Sequence, residues 1–254
     1  MKISVITPVF NGEETISTCI ESVIDQSYSS KEHIIIDGKS ADQTISVIKK
    51  YQVKYISEKD NGIYDAINKG INMATGDIIC ILGSDDFYAH KDIFQRVADT
   101  FKANPDADIV FGDMIFVDRI DSSKINRYWK SSPFKPGLFK SGWLPQNHTL
   151  FIRRSIYSKY GCFNQKFLIA DYELQYRFFE KHRIKSIYKT GVMVKMRSGG
   201  VSNSSIKNIY QNMNGCYEVL KYYKVKHPFI YIVNTLIYRF KQIFIPSSIK
   251  KMYG

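Results

Sequence analysis

The 254-residue sequence has few cysteines and no long apolar run, and each shortage removes a class of protein. The four cysteines are widely spaced and form no CxxC pair, so neither a disulfide framework nor a zinc site is indicated. We expect Cys19 and Cys80, which fall on apolar faces, to be core thiols in a reducing compartment. No stretch approaches the roughly 20 consecutive apolar residues of a membrane-spanning helix. No signal peptide is expected, because a predicted core strand follows Met1 directly.

Acidic residues are scarce at the carboxy-terminal end. The chain has 36 Lys and Arg against 24 Asp and Glu, a formal net charge of +12, and no acidic residue follows Glu218. Basic and aromatic residues alternate beyond that point, and Phe229–Ile245 is apolar but broken by polar residues, which favours an interfacial helix. The alternative is a helix pair that packs on its own domain and leaves a basic face in solvent. No nucleic-acid-binding motif accompanies the charge, and we expect no nucleic-acid partner.

Short β-branched runs alternate with amphipathic helices in the amino-terminal half. Strands are predicted at Lys2–Thr7, His33–Ile36, Val53–Ile56 and Ile78–Leu82, with a helix between each pair. Asn11 is expected to cap the first helix, and Ser40 or Asp42 a second helix that runs through Tyr51. This alternation predicts a parallel sheet, and a chain of this length can bury one large core.

Two adjacent carboxylates, Asp85 and Asp86, follow the fourth predicted strand. Neighbouring carboxylates repel each other unless a cation lies near them, and a divalent metal with a diphosphate is the natural combination. Polar residues also follow the first two strands, at Thr7–Asn11 and at Asp37. Because ligands bind outside the carboxyl ends of parallel strands, these residues predict a nucleotide site at one sheet edge. The alternatives are a solvated turn for the pair, and a helix cap or turn residue for Asp37.

Four stretches of this sequence resemble the family 2 glycosyltransferases. They are ISVITPVFNGEETISTCIESVIDQSY, HIIIDGKSADQT, SEKDNGIYDAINKGINMATGDIICILGSDD and FIRRSIYSKYGCFNQKFLIADYELQYR, and the resemblance covers roughly residues 1–203. It implies an α/β GT-A fold, with a Rossmann-like mixed sheet flanked by helices and a basic helical tail. It also implies a nucleotide-sugar-binding half at 1–110 and an acceptor-binding half of the same domain at 111–204. The basic and aromatic composition beyond these halves predicts a membrane-associating tail at 205–254.

The resemblance also implies which residues bind the donor. Pro8, Asn11 and Asp37 would border the nucleotide base and ribose, and Asp60 would lie near the base or the diphosphate. The family's Asp-x-Asp motif is matched by the sequence Ser-Asp-Asp at positions 84–86, so its first carboxylate is replaced by serine here.

This departure leaves Asp85 as the ribose or diphosphate contact and Asp86 as the metal ligand. The expected ion is Mn²⁺ or Mg²⁺, with the diphosphate oxygens and waters completing its coordination.

The acceptor side is less sharply defined by sequence. The loop Pro133–Trp143 could line a sugar site, although Trp143 could equally anchor the core, and His148 could be a ligand or a structural histidine. Asp171, at the start of a predicted helix through His182, could be a helix cap; the resemblance makes it the catalytic base instead. Gly199–Ser202 resembles the family's flexible segment near the diphosphate, or is an ordinary turn.

The resemblance implies an inverting hexosyltransferase that uses UDP-galactose or UDP-glucose. The expected acceptor is a polyprenyl-diphosphate-linked sugar such as N-acetylglucosamine-diphosphate-undecaprenol, joined by a β-1,3 linkage in O-antigen synthesis. Such an enzyme would lie peripherally on the anionic cytoplasmic face of the bacterial inner membrane.

Three other classes of protein fit the sequence less well. A metal-dependent nucleotidyltransferase would carry a Gly-rich basic first loop, where this chain has TPVFNGEE, and a dehydrogenase would carry GxGxxG. A non-catalytic membrane or nucleic-acid binding protein would leave Asp85, Asp86 and Asp171 unexplained.

Overall fold

The computed structural model describes residues 1–199, 206–243 and 246–253. Nine strands in this part of the chain form one sheet. They are β1 (Ile3–Val9), β2 (Lys31–Asp37), β3 (Lys54–Ser57), β4 (Ile78–Ile81), β5 (Phe87–Tyr88), β6 (Ile109–Val117), β7 (Ile125–Trp129), β8 (Phe151–Arg153) and β9 (Ser186–Arg197).

Nine α-helices accompany this sheet in the same described ranges. They are α1 (Ile16–Ile24), α2 (Thr44–Ile48), α3 (Ile63–Met73), α4 (Ile93–Ala103), α5 (Arg154–Tyr160), α6 (Ala170–Gln175), α7 (Ile206–Tyr222), α8 (Pro228–Lys241) and α9 (Ser247–Tyr253). Short 3₁₀ turns cover Leu138–Ser141 and Asn147–Thr149, and α6 continues as a π-helical segment over Tyr176–Lys181.

The sheet is mixed, as the family resemblance implies, and not purely parallel. The strand order is β3-β2-β1-β4-β8-β6-β9-β5, and β7 pairs with β6. The first four strands are parallel, whereas β8 runs antiparallel to both β4 and β6. The carboxyl ends of β1, β2 and β4 therefore open on one edge, where the predicted donor residues lie.

Helices α1 and α3 bury one apolar face each against this sheet. Ala66, Ile67 and Ile71 of α3 are buried, and Gly70 lets the helix approach β1, since a Cβ there would lie 2.4 Å from Ile6 Cγ2. Ile24 at the end of α1 and Ile63 at the start of α3 are exposed.

The predicted helix cap at Asn11 was wrong. Helix α1 begins four residues later than expected, after Thr15, and Asn11 instead adopts a left-handed conformation with φ 51°. Its Oδ1 accepts a hydrogen bond from the Ala41 N–H at 2.9 Å, which ties the loop after β1 to the loop after β2. Helix α2 ends at Ile48, well before Tyr51, but Asp42 Oδ1 accepts a hydrogen bond from the N–H of Thr44, its first residue, at 3.0 Å.

The second half of the sheet is covered by an aromatic core. Leu174, Phe178 and Phe179 are fully buried. Trp143 is buried too, with its ring 5.3 Å from that of Phe179 and its Nε1 donating to the Ser132 carbonyl at 3.1 Å. Trp143 is therefore a core anchor.

The carboxy-terminal helices pack on the domain. Gly142, at φ 82°, lets α8 approach so closely that a Cβ there would overlap the Asn234 carbonyl. The Asn234 Nδ2 donates to the Lys140 carbonyl at 2.8 Å, and the Tyr238 hydroxyl donates to the Lys130 carbonyl at 3.0 Å. Within the described ranges, no helix combines the length and hydrophobicity needed to cross a membrane.

Candidate active site

The loops after β1 and β2 form one side of the site. Asp37, buried at the end of β2, accepts hydrogen bonds from the Ser40 N–H at 3.1 Å and the Ser57 hydroxyl at 2.6 Å. Its carboxylate is thus held rigidly by the loop that follows it and by the end of β3. Pro8 lies inside β1, paired in register with Ile36, so it shapes the strand end and offers the site no polar group.

Asp60 lies across the same edge from Asp37. A Cβ added to Gly38 would lie 2.7 Å from Asp60 Oδ2 and 3.5 Å from the ring of Phe10, so all three residues adjoin one another. Phe10 is 65% exposed and offers a flat apolar surface to a planar ligand. Sequence reasoning missed Phe10, although an exposed aromatic directly after a strand was the available signal.

Asp85 and Asp86 lie in a tight turn at the end of β4. The Asp86 N–H donates to the Gly83 carbonyl at 3.0 Å, and a Cβ on Gly83 would sit 2.8 Å from Asp86 Oδ2. Gly83 therefore makes room for the carboxylates to fold back over the turn. Burial and the neighbouring Asp86 raise the pKa of Asp85.

His148 contacts the buried carboxylate of Asp86. It sits in the 3₁₀ turn before β8, and its Nδ1 lies 2.6 Å from Asp86 Oδ2. Burial acts to lower the pKa of His148, but the charge of Asp86 beside it gives a net increase, and Asp85 and Asp171 add to it. The fold therefore brings these four titratable groups together. The sequence alone did not decide whether His148 belonged to the site.

Asp171 lies in the first turn of α6, and the capping interpretation is wrong because Ile169 occupies the cap position. Its Oδ1 accepts a hydrogen bond from the Tyr64 hydroxyl at 2.8 Å. Burial and the carboxylate of Asp171 raise the pKa of Tyr64, whose ring stacks on Phe163 with 5.6 Å between centroids. Helix α3 thus fixes the orientation of the Asp171 carboxylate.

Two arginines that sequence reasoning did not assign to the site lie near Asp85. Arg197, at the end of β9, donates from Nη1 to the Asp85 carbonyl at 2.8 Å, and its guanidinium lies 4.9 Å from the Phe87 ring centroid. Arg119, from the loop after β6, acts to lower the pKa of Asp85. These cations make the site suitable for an anion such as a diphosphate.

The two sides of the site adjoin each other. A Cβ on Gly12, in the loop after β1, would lie 3.6 Å from the Ser84 hydroxyl at the end of β4. Of the predicted Gly199–Ser202 segment, only Gly199 belongs to the described residues, with φ 95°; the rest lies outside them.

The chemistry of Asp86 fits a divalent cation. Its carboxylate is fully buried, and Oδ1 receives no hydrogen bond. A buried carboxylate oxygen without a partner is costly, and a bound cation removes that cost. No cluster of three or more His, Cys, Asp or Glu residues in the described parts of the chain is arranged to hold a metal. Any ion at Asp86 would therefore need ligands from elsewhere, such as phosphate oxygens.

Comparisons with known proteins agree with this arrangement. Residues 4–164 match "Glycosyl transferase family 2". A relative from Methanococcus voltae is a dolichyl N-acetyl-alpha-D-glucosaminyl phosphate 3-beta-D-2,3-diacetamido-2,3-dideoxy-beta-D-glucuronosyltransferase. It is 29% identical over 229 residues, with 81% of this chain and 68% of that protein covered.

Two solved structures share the fold at low sequence identity. S. aureus TarS 1–349 in complex with UDP-GlcNAc gives a TM-score of 0.63 at 16% identity, covering 95% of this chain and 73% of that one. The mannosyltransferase PcManGT from Pyrobaculum calidifontis, in complex with GDP-Man and Mn²⁺, gives a TM-score of 0.64 at 15% identity, covering 93% of this chain and 69% of that one. Because the sequence match spans more than half of the chain, and the sheet is that of GT-A enzymes, this protein belongs to the family 2 glycosyltransferases.

Proposed function

We propose that this protein is a metal-dependent, inverting hexosyltransferase that moves galactose or glucose from a UDP-sugar to a lipid-diphosphate-linked sugar. The observation that carries the proposal is the grouping of Asp85, Asp86 and His148 with Asp171, at the sheet edge where a nucleotide would lie. Family membership favours this activity over the nucleotidyltransferase and the non-catalytic binding protein.

The donor would lie across the carboxyl edge of β1, β2 and β4. Phe10 would face the base, while Asp37 and Asp60 would border the base and ribose. Asp85 and Arg197 would contact the ribose and diphosphate. The complex of TarS with UDP-GlcNAc supports a uridine nucleotide.

Asp86 and His148 would hold the divalent ion, Mn²⁺ or Mg²⁺. Oδ1 of Asp86 has no hydrogen-bond partner and is an available ligand atom, and His148 lies beside it, with Nδ1 2.6 Å from Asp86 Oδ2. When bound, the ion supplies positive charge beside the leaving diphosphate. The complex of PcManGT with Mn²⁺ supports this cofactor.

Asp171 would act as the general base. An acceptor hydroxyl gives its proton to the Asp171 carboxylate as its oxygen bonds to the anomeric carbon, and the bond from that carbon to the UDP oxygen breaks. General-base assistance of this kind contributes roughly 10²–10⁴ in rate. Tyr64 holds the carboxylate in place. A single displacement inverts the anomeric centre, so an α-linked donor gives a β-linked product.

The acceptor would be a sugar on a polyprenyl diphosphate, such as N-acetylglucosamine-diphosphate-undecaprenol with β-1,3 attachment in O-antigen synthesis. The lipid-phosphate acceptor and 3-β linkage in the name of the M. voltae relative support this class. The enzyme would then work peripherally at the cytoplasmic face of the inner membrane.

The outward face of α8 supports a membrane-bound location. Its exposed residues are apolar at helical spacing: Phe229, Ile230, Val233, Leu236, Ile237 and Phe240. A contiguous apolar face on a helix that is already packed on its domain marks an interaction surface. The exposed lysines around the tail helices, in a segment without acidic residues, suit an anionic lipid surface.

The test is a panel of nucleotide sugars incubated with the protein, with and without Mn²⁺, and assayed for nucleotide release. We expect UDP release from UDP-galactose or UDP-glucose only with the ion present, and faster release with the lipid-linked acceptor. Equal release without the ion contradicts the metal assignment, and no release from any donor contradicts the proposed activity.

A further inference from the structure

Helix α3 contacts the acceptor side of the site through two side chains that are one turn apart. Tyr64 and Asn68 are spaced four residues apart, so they lie on the same face of the helix. The Tyr64 hydroxyl donates to Asp171. Asn68 is half-buried, and its amide contacts a different part of the chain.

Both polar atoms of the Asn68 amide bond to the main chain of one residue, Phe163. Asn68 Nδ2 donates to the Phe163 carbonyl at 2.9 Å, and the Phe163 N–H donates to Asn68 Oδ1 at 3.0 Å. An amide that pairs with both main-chain groups of a residue satisfies them as a neighbouring strand would. Asn68 therefore fixes both the position and the direction of the chain at Phe163.

The segment before Phe163 is held from the other side by the π-helical continuation of α6. Arg177 donates to the main-chain carbonyls of the three preceding residues, at 2.9 Å to Gly161 and 2.7 Å to Cys162. Arg177 is itself fixed by a buried ion pair, with Nε 2.9 Å from Glu173 Oε1. The segment is thus anchored on α6 at one end and on α3 at the other.

The ring of Phe163 connects this anchored segment to Asp171. The ring is buried, and that of Tyr64 stacks on it with 5.6 Å between centroids and 15° between ring planes. Because packed rings leave little free space around them, a displacement of Phe163 moves the Tyr64 ring as well. The hydroxyl that donates to Asp171 moves with that ring.

We propose that Asn68 is a positioning residue for the general base Asp171, and that it acts through Phe163 and Tyr64. This inference rests on the proposed function for the role of Asp171. A catalytic group must be held close to its productive geometry, and a misplacement of about 1 Å can lower the rate by as much as roughly 10²-fold. The two hydrogen bonds of Asn68 oppose such a displacement.

The kinetic test is Asn68→Ala, which removes both hydrogen bonds to Phe163. We expect kcat to fall roughly three- to tenfold, the range expected for Tyr64→Phe, because both variants release the Asp171 carboxylate. The KM for the nucleotide sugar should not change. Wild-type kcat in Asn68→Ala overturns the proposal.

The matched control is Asn104→Ala. Asn104 is also half-buried, and its Nδ2 donates to a main-chain carbonyl, that of Thr100, at 2.9 Å. It lies at the end of α4, in a different part of the sequence from the contacts of Asp171. Asn104→Ala should keep the wild-type kcat.

A double-mutant cycle separates positioning from a general loss of structure. If Asn68 acts through Tyr64, then Asn68→Ala should lower kcat by less than about twofold when it is introduced into Tyr64→Phe. A purely structural role gives the same three- to tenfold loss in both backgrounds, and that result overturns the proposal.

Folding is checked by thermal unfolding. Asn68→Ala should unfold at a lower temperature than the wild type, because the main chain of Phe163 loses two partners. If Asn68→Ala does not fold, Phe163→Leu tests the same link, since it keeps the main-chain bonds and removes the ring that stacks on Tyr64. Phe163→Leu should lower kcat in the wild type and have little effect in Tyr64→Phe. An equal loss in both backgrounds overturns the proposal.

A crystal structure of Asn68→Ala separates this inference from the proposed function. We expect the Tyr64 hydroxyl to lie more than about 3.5 Å from Asp171 in the variant, beyond hydrogen-bond distance. If it is displaced in this way but the wild type transfers no sugar from any donor, the proposed function fails and the positioning of Asp171 by Asn68 stands. If the wild type transfers sugar and the hydrogen bond is unchanged in the variant, the proposed function stands and this inference is overturned.

Discussion

The Tyr64 hydroxyl donates a 2.8 Å hydrogen bond to Asp171 Oδ1, joining helices α3 and α6 across 107 residues of sequence. Tyr64→Phe removes this donor and leaves the ring stacked on Phe163. We expect kcat to fall roughly three- to tenfold, the value of one hydrogen bond, because Asp171 loses its orientation. The donor KM should not change. Tyr51→Phe, which removes a surface hydrogen bond to Glu21, is the control, and equal rates in the two variants contradict the positioning role.

Asp171→Asn separates binding from chemistry. The amide keeps the size of the carboxylate and still accepts from Tyr64, but it cannot take a proton from the acceptor. Turnover should fall roughly 10²–10⁴-fold while UDP affinity, measured by calorimetry, stays the same. Unchanged turnover would return Asp171 to a structural role at the start of α6.

Asp86→Ala tests the cation site. The substitution removes the buried carboxylate that carries the unpaired Oδ1, so Mn²⁺-dependent transfer should fall by about 100-fold or more. Asp85→Ala should also be severely impaired. The control is Asp99→Ala, because Asp99 lies exposed on α4. Near wild-type rates for Asp86→Ala at ordinary Mn²⁺ concentrations contradict the assignment.

The outward face of α8 gives a membrane prediction. Val233 and Ile237, about half exposed, are replaced together by glutamine, which keeps the helix and removes apolar surface. Binding to anionic vesicles should weaken about tenfold or more. Transfer to a short, water-soluble acceptor should not change. Ile120→Gln is the control, because Ile120 is 96% exposed and lies in the loop between β6 and β7, away from α8. Equal vesicle sedimentation of all three proteins contradicts membrane docking through α8.

Raising the salt concentration tests the charge contribution of the tail. Lys250 and Lys251 are exposed on α9, and their attraction to anionic lipid is screened by ions. Lys250→Gln with Lys251→Gln should therefore weaken vesicle binding at low salt and have a smaller effect at high salt. An equal effect at both salt concentrations contradicts an electrostatic role.

His33 should make the protein sensitive to acid. Burial lowers the pKa of His33 from 6.5 to about 3 in the folded state, where Nε2 lies 2.9 Å from the Thr7 hydroxyl. The unfolded chain takes up a proton as the pH falls below 6.5 and the folded chain does not, so stability is lost on acidification. The slope is about 1.4 kcal/mol per pH unit. His33→Gln should flatten this slope in denaturant titrations from pH 6.5 to 4.5, and the exposed His227→Gln should not.

Strands β1, β2 and β4 could be predicted from sequence because parallel strands that are buried on both faces appear as continuous apolar runs. The positions of Asp37, Asp85 and Asp86 at one sheet edge could also be predicted, because these residues lie at or just after the ends of parallel strands. Helix starts were less predictable. Asn11 is a common capping residue, but here its side chain bonds to Ala41 of a neighbouring loop, and no local pattern signals that choice.

The sequence by itself therefore determined the first four strands along the chain, the polar edge at their carboxyl ends and the basic character of the tail, because local periodicity and composition encode them. Only the tertiary structure decided that His148 contacts Asp86, that Tyr64 orients Asp171, and that Asn68 pairs with the main chain of Phe163. Each of these contacts joins elements far apart in the chain. Their formation depends on how helices pack on the sheet and not on the residues beside them.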